Sequence, residues 1–99
     1  MLTVLRYEIN KAINDVELPG GSKILSVGIS KDNLGVEKIS IWCEAEVDEN
    51  YVPYTTEKAR FLVYGTGANM DDSVNFCAKY IGTVQKSNMY AFHVYRVLM

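Results

Sequence analysis

The sequence predicts a mostly β fold: a small antiparallel sheet or sandwich of about six strands with at most one short helix. Three observations carry that expectation. Apolar and polar residues alternate at period two in successive segments, hairpin-length polar loops join those segments, and glycine or proline clusters punctuate them. With 99 residues, 48% of them hydrophobic, the chain has apolar material for one core, so residues 1–99 read as a single domain.

The elements follow in order. Leu2 to Ile9 places Thr3, Leu5, Tyr7 and Ile9 on one side of an extended chain, with Leu2, Val4, Arg6 and Glu8 on the other. Asn10 to Asp15 interrupts it, Val16 to Leu18 adds a short extended piece, and Pro19-Gly20-Gly21-Ser22 is the strongest turn signal. Ile24 to Ile29 sets Leu25, Val27 and Ile29 against Ser26 and Gly28, a small-residue face suited to close approach by another backbone or a ligand. After the polar loop Lys31 to Gly35, Ile39 to Val47 completes a hairpin. Its core face is Ile39, Ile41, Cys43, Ala45 and Val47; Trp42 is the exception on a polar face of Ser40, Glu44 and Glu46.

Asp48 to Thr56 connects to Lys58–Tyr64, where Ala59, Phe61 and Val63 oppose Arg60, Leu62 and Tyr64 before Gly65-Thr66-Gly67 ends the strand. Asn69 to Lys79 reads equally as irregular loop or as a short helix capped by Asp71-Asp72-Ser73, with Val74, Cys77 and Ala78 on one stripe. Tyr80 to Gln85 and Tyr90 to Leu98 form a last hairpin across Lys86-Ser87-Asn88-Met89. A sheet of this size in so short a chain leaves a face or edge uncovered, which predicts a homo-oligomer.

Composition narrows the function. The formal charge is −2 and no run of lysine or arginine supplies the footprint of a nucleic-acid polymer binder, while a small phosphorylated ligand needs only a few placed cations. Cys43 and Cys77 read as free thiols, and one histidine with two scattered cysteines is too little for a metal site. No apolar run is long enough for a membrane span, and Arg6 and Glu8 break the stretch a signal peptide would need, so a reducing cytoplasm is expected. His93 has no acidic neighbour in sequence, and neither G-x-S-x-G nor S-x-x-K occurs. The expectation is a non-enzymatic, cofactor-free binding protein, with His93 as a hydrogen-bonded structural residue.

Outward rings and arginines are the candidate binding groups. Trp42, Tyr64 and Tyr95 lie on outward faces, Arg60 shares the Tyr64 face, and Arg6 and Arg96 sit mid-strand. Ring plus guanidinium suits a nucleotide, and equally a protein interface. Gly65-Thr66-Gly67 is either a strand-ending turn or a nest of N–H groups for an anion.

The ordered set Tyr7, Leu18-Pro19-Gly20-Gly21, Lys23-Ile24-Leu25-Ser26-Val27, Trp42, Tyr64-Gly65-Thr66-Gly67, Tyr80-Ile81-Gly82-Thr83-Val84-Gln85 and Phe92-His93-Val94-Tyr95 resembles a family of short bacteriophage proteins, a domain of unknown function. It departs from the family pattern at Ala68 and in Asn69 to Lys79. In kind, the chain is similar to homo-oligomeric viral sponges that sequester cyclic-nucleotide immune signals. The resemblance implies a phage-encoded anti-defence protein of the host cytoplasm. Its small nucleotide ligand would stack on Trp42 or Tyr64, meet Arg60 or Arg6 through phosphate, and bond Thr66 and Thr83, with Gly65 and Gly67 framing the loop. The alternative is a protein-binding inhibitor or adaptor of a host defence complex, anti-CRISPR-like, using Glu44, Glu46, Asp48 and Glu49. A sponge predicts an enclosed pocket with a ring and an arginine, an adaptor a flat or acidic surface, and an enzyme His93 beside a carboxylate or thiol.

Overall fold

The computed structural model describes residues 1–70 and 77–98, and the helix-or-loop alternative for Asn69 to Lys79 lies largely outside them. Seven strands occur among the described residues: β1 Leu2–Glu8, β2 Ile13–Pro19, β3 Lys23–Lys31, β4 Glu37–Glu46, β5 Thr56–Gly65, β6 Ala78–Gln85 and β7 Ala91–Val97. They form two antiparallel sheets, β1-β4-β3 and β2-β5-β7-β6. The expected mostly β architecture is present as a two-sheet arrangement.

Alternation decides which face of each sheet turns inward. In the three-stranded sheet Leu5 lies opposite Cys43, Tyr7 opposite Ile41, and Val27 opposite Ile41 from the other side, so all point to one face. In the four-stranded sheet Val16 lies opposite Ala59, and Val63 opposite Val94. The two faces meet in one cluster built around Ile9, Leu18, Ile39, Ile41, Cys43, Ala59, Phe61, Val84 and Val94. Burial of these side chains is the main stabilising term for the fold. The sheets come closest where β3 meets β6: a Cβ on Gly82 would lie 2.6 Å from Cγ1 of Val27, so only glycine fits without movement.

Two details differ from the sequence pattern. The register of β3 shifts between Ile24 and Ser26, with Ile24 opposite Cys43 and Ser26 opposite Trp42. Leu25 is therefore the extra residue of a bulge and is exposed, while Ile24 packs on the core in its place. The second strand is also longer than Val16 to Leu18. It starts at Ile13, because Asn14 satisfies its polar atoms within the fold: its Oδ1 accepts from the Lys11 N–H at 2.9 Å, and its Nδ2 donates to the carbonyls of Lys11 at 2.6 Å and Phe61 at 3.3 Å. A polar residue so bonded is tolerated at an inward position.

Candidate functional site on the outer face of the four-stranded sheet

The register that buries Phe61 and Val94 turns their strand neighbours outward. Leu62 lies opposite Tyr95 and Tyr95 opposite Tyr80, while in the adjacent row Tyr64 lies opposite His93 and His93 opposite Thr83. Two cross-strand rows thus place three tyrosines, a histidine and a threonine on one surface. Tyr95 is the centre of the rings, edge-on to Tyr80 at 5.5 Å and to Tyr64 at 6.1 Å between centroids. Such edge-to-face contacts fix ring orientation while leaving the outer ring surfaces open.

His93 organises the polar half. Its Nε2 is 2.8 Å from Thr66 Oγ1, its Nδ1 is 2.9 Å from Thr83 Oγ1, and Thr83 Oγ1 is 2.5 Å from the Tyr80 hydroxyl. In a neutral imidazole one nitrogen donates and the other accepts, and hydroxyls serve either role by rotation. Because both ring nitrogens are taken by threonine, neither is oriented by a carboxylate, the third group that a nucleophile-activating histidine normally carries. The chain Thr66–His93–Thr83–Tyr80 is a preordered row of hydroxyls that can each give or take a hydrogen bond at the surface.

The structure brings Tyr64, Thr66 and Thr83 together, with Gly65 and Gly67 at the margin. The glycine loop is a turn: Ala68 N–H donates to Gly65 O at 3.0 Å, Thr66 N–H to Ala91 O at 3.1 Å, and Gly67 has φ 87°. Two of the N–H groups an anion nest would use are already bonded, and the positive φ explains the glycine. Arg60 lies on the same outer face but is held by Asp15 directly across the strands, Nε to Oδ1 at 2.8 Å and Nη2 to Oδ2 at 3.1 Å. This bond to Arg60 is the first cause of an Asp15 carboxyl below its ordinary range, and it leaves the guanidinium engaged.

Trp42 and Arg6 are elsewhere. They lie opposite each other on the outer face of the three-stranded sheet, across the sandwich from Tyr64. The Trp42 ring covers Gly28, with its Cζ3 3.3 Å from where a Cβ would stand. The small-residue face of β3 is thus filled by the protein's own indole. Tyr80 is the member that sequence pattern missed. A register shift between Tyr80 and Gly82 puts Tyr80 and Thr83, three residues apart, on one face where strict alternation separates them. Among the described residues, no group of three or more His, Cys, Asp or Glu side chains gathers to hold a metal ion.

Residues 1–98 match the model of a family described as Domain of unknown function (DUF7352). The chain belongs to this family. No curated protein and no solved structure matches the chain. The DUF7352 match spans every strand of both sheets, so the outer tyrosine face lies wholly within the family domain.

Proposed function

We propose that this DUF7352 protein is a non-enzymatic binding protein that sequesters a small nucleotide-type ligand, in keeping with a phage-encoded sponge for a cyclic-nucleotide immune signal in the host cytoplasm. The observation that carries the reading is the outer face of the four-stranded sheet, where the open rings of Tyr64, Tyr80 and Tyr95 adjoin the hydroxyl row set by His93. A planar base stacks on the rings, and ribose hydroxyls or phosphate oxygens meet Thr66 and Thr83. In one chain this face is open, with Ile13 and Tyr80 each more than half exposed. Closure by a second copy is therefore part of the proposal, since enclosure raises affinity enough for stoichiometric capture. The same openness favours the second reading, a protein-binding inhibitor or adaptor.

A thermal-shift panel of cyclic di- and trinucleotides tests this, with the recovered ligand checked for chemical change. At a hundredfold excess over Kd the true ligand adds about 2.7 kcal/mol, a rise of roughly 10–20 °C in Tm for a domain of this size. An intact ligand with that shift supports sequestration. Silence across the panel overturns it in favour of protein binding, and a cleaved ligand makes the protein an enzyme.

A further inference from the structure

Among the described residues the two sheets end in four strand edges, and three of these carry features that resist pairing with another strand. β3 bulges at Leu25 and has Lys23 and Lys31 at its ends, while β6 has a register shift at Ile81 and Lys79 near its start. These two edges also lean on each other, where Gly82 meets Val27. β2 ends in Pro19, which has no N–H, and it carries Asp15 and Glu17, so a copy of itself laid antiparallel alongside sets carboxylate against carboxylate. β1 is the exception. Leu2–Glu8 contains no proline, glycine or lysine, and it pairs with β4 in unbroken register.

Hydrogen bonding fixes which groups that edge offers. Ile9 N–H donates to Ile39 O and Val47 N–H to Met1 O, so the odd-numbered residues of β1 bond to β4. The N–H and C=O groups of Leu2, Val4, Arg6 and Glu8 therefore point away from β4, along the free edge. Their side chains stand on the outer face, with Leu2 59% and Val4 51% exposed. Leu5 and Tyr7 pack on the core from the inner face, yet their place on a marginal strand leaves both only half-buried. A further strand alongside satisfies the main-chain groups and covers both rows of apolar side chains at once.

We infer that β1 is the contact between two copies of this chain, paired antiparallel about a two-fold axis at Leu5. Only registers that set even-numbered residues against even-numbered residues join the free groups. With the axis at Leu5, Leu2 faces Glu8 of the second copy and Val4 faces its Arg6, so every free N–H and C=O of the strand finds a partner. Leu2 and Val4 lie against the stems of the facing Glu8 and Arg6, and the two Leu5 side chains meet on the inner face. An axis at Arg6 sets two guanidinium groups directly opposite each other, and an axis at Val4 leaves Glu8 unpaired. Each Arg6 keeps Glu8 two residues on and Glu44 diagonally across in β4 on the same face, which balances its charge. The pairing joins two three-stranded sheets into one. It does not depend on the proposed ligand, and it leaves the tyrosine face of the other sheet free.

The test is sedimentation equilibrium of the full chain from about 10 μM to 1 mM, the range in which a contact of this small size associates. A monomer–dimer equilibrium is expected, with amide exchange at Leu2, Val4, Arg6 and Glu8 slowing as concentration rises. Val4→Lys sets an ammonium opposite Arg6 of the second copy, twice per dimer, and weakens the dimer about 5- to 30-fold. Adding Arg6→Glu to that variant reverses the facing charge and restores the dimer to within about threefold of the starting protein. Leu34→Lys makes the same charge change on an exposed loop and leaves the dimer within about twofold. A chain that stays monomeric throughout overturns the inference, as does a dimer that ignores Val4→Lys or is not restored by Arg6→Glu. A dimer weakened by Tyr80→Ser but not by Val4→Lys moves the contact to the tyrosine face, which sinks the edge pairing and keeps the closure proposed there.

Discussion

Gly82→Ala probes the contact between the sheets more sharply than any surface change. The new methyl carbon would lie 2.6 Å from Val27 Cγ1, roughly 1 Å inside the usual 3.5–4.0 Å carbon separation. Forcing an extra carbon into such a contact costs about 1–3 kcal/mol, which lowers Tm by roughly 5–20 °C in a domain of this size. Val27→Ala removes the clashing methyl and alone costs about 1–2 kcal/mol of lost burial. Combined, the two alanines fit, so the double variant is more stable than the sum of the single losses by at least about 1 kcal/mol. Urea unfolding of the four proteins gives this coupling directly. Additive losses, with coupling below about 0.3 kcal/mol, would show that β3 and β6 do not meet at these residues and would refute the packing of the two sheets described above.

Three further outcomes follow from named groups. Asn14→Ala removes the side-chain bonds to Lys11 and the added bond to the Phe61 carbonyl, for a loss of about 1–3 kcal/mol in chemical denaturation. Asp15, Asp32 and Glu37 are each held below the ordinary carboxyl range, first by the Arg60 hydrogen bond, the Val36 N–H and the Ser87 hydroxyl respectively. Depressed folded values mean stability that is full above the unfolded values near about 4 and is lost as pH falls through the lower folded values, so urea midpoints decline on acidification below about pH 4, and less so in Asp32→Asn. Cys77 is exposed and reacts with an aromatic disulfide reagent at once; Cys43 is buried, burial pushes its thiol up, and it reacts only on the timescale of unfolding.

The strands that sequence pattern delineated best are those whose core-facing residues are all apolar and alternate with more polar ones. β4 is such a strand: Ile39, Ile41, Cys43 and Ala45 are all buried, and period two suffices to say so. β2 was legible only in part, because Asn14, Asp15 and Glu17 make it polar and its strand character depends on partners in β5 that lie between 37 (Pro19 to Thr56) and 49 (Ile13 to Leu62) residues away. Bulges explain the other differences. Each adds one residue, so Leu25 turned outward and Tyr80 joined Thr83, and nothing in a hydrophobic alternation marks which residue is extra.

The candidate site shows the same division. Alternation correctly turned Tyr64 and Trp42 away from the core, but a face is not a sheet, and the topology puts the two rings on opposite outer surfaces of the sandwich. His93 carried no sequence signal beyond its isolation. Its partners Thr66 and Thr83 come from β5's end and from β6, and only strand pairing brings them to its two nitrogens.

The measurement that tests the proposed function most directly is amide shift mapping of the intact protein with a saturating cyclic dinucleotide. Shifts should concentrate at Tyr64, Thr66, Tyr80, Thr83, His93 and Tyr95 on the four-stranded sheet, with Arg6 and Trp42 unmoved on the other. Shifts centred on Arg6 and Trp42 instead, or none at saturating ligand, would contradict the assignment of the tyrosine face as the binding surface.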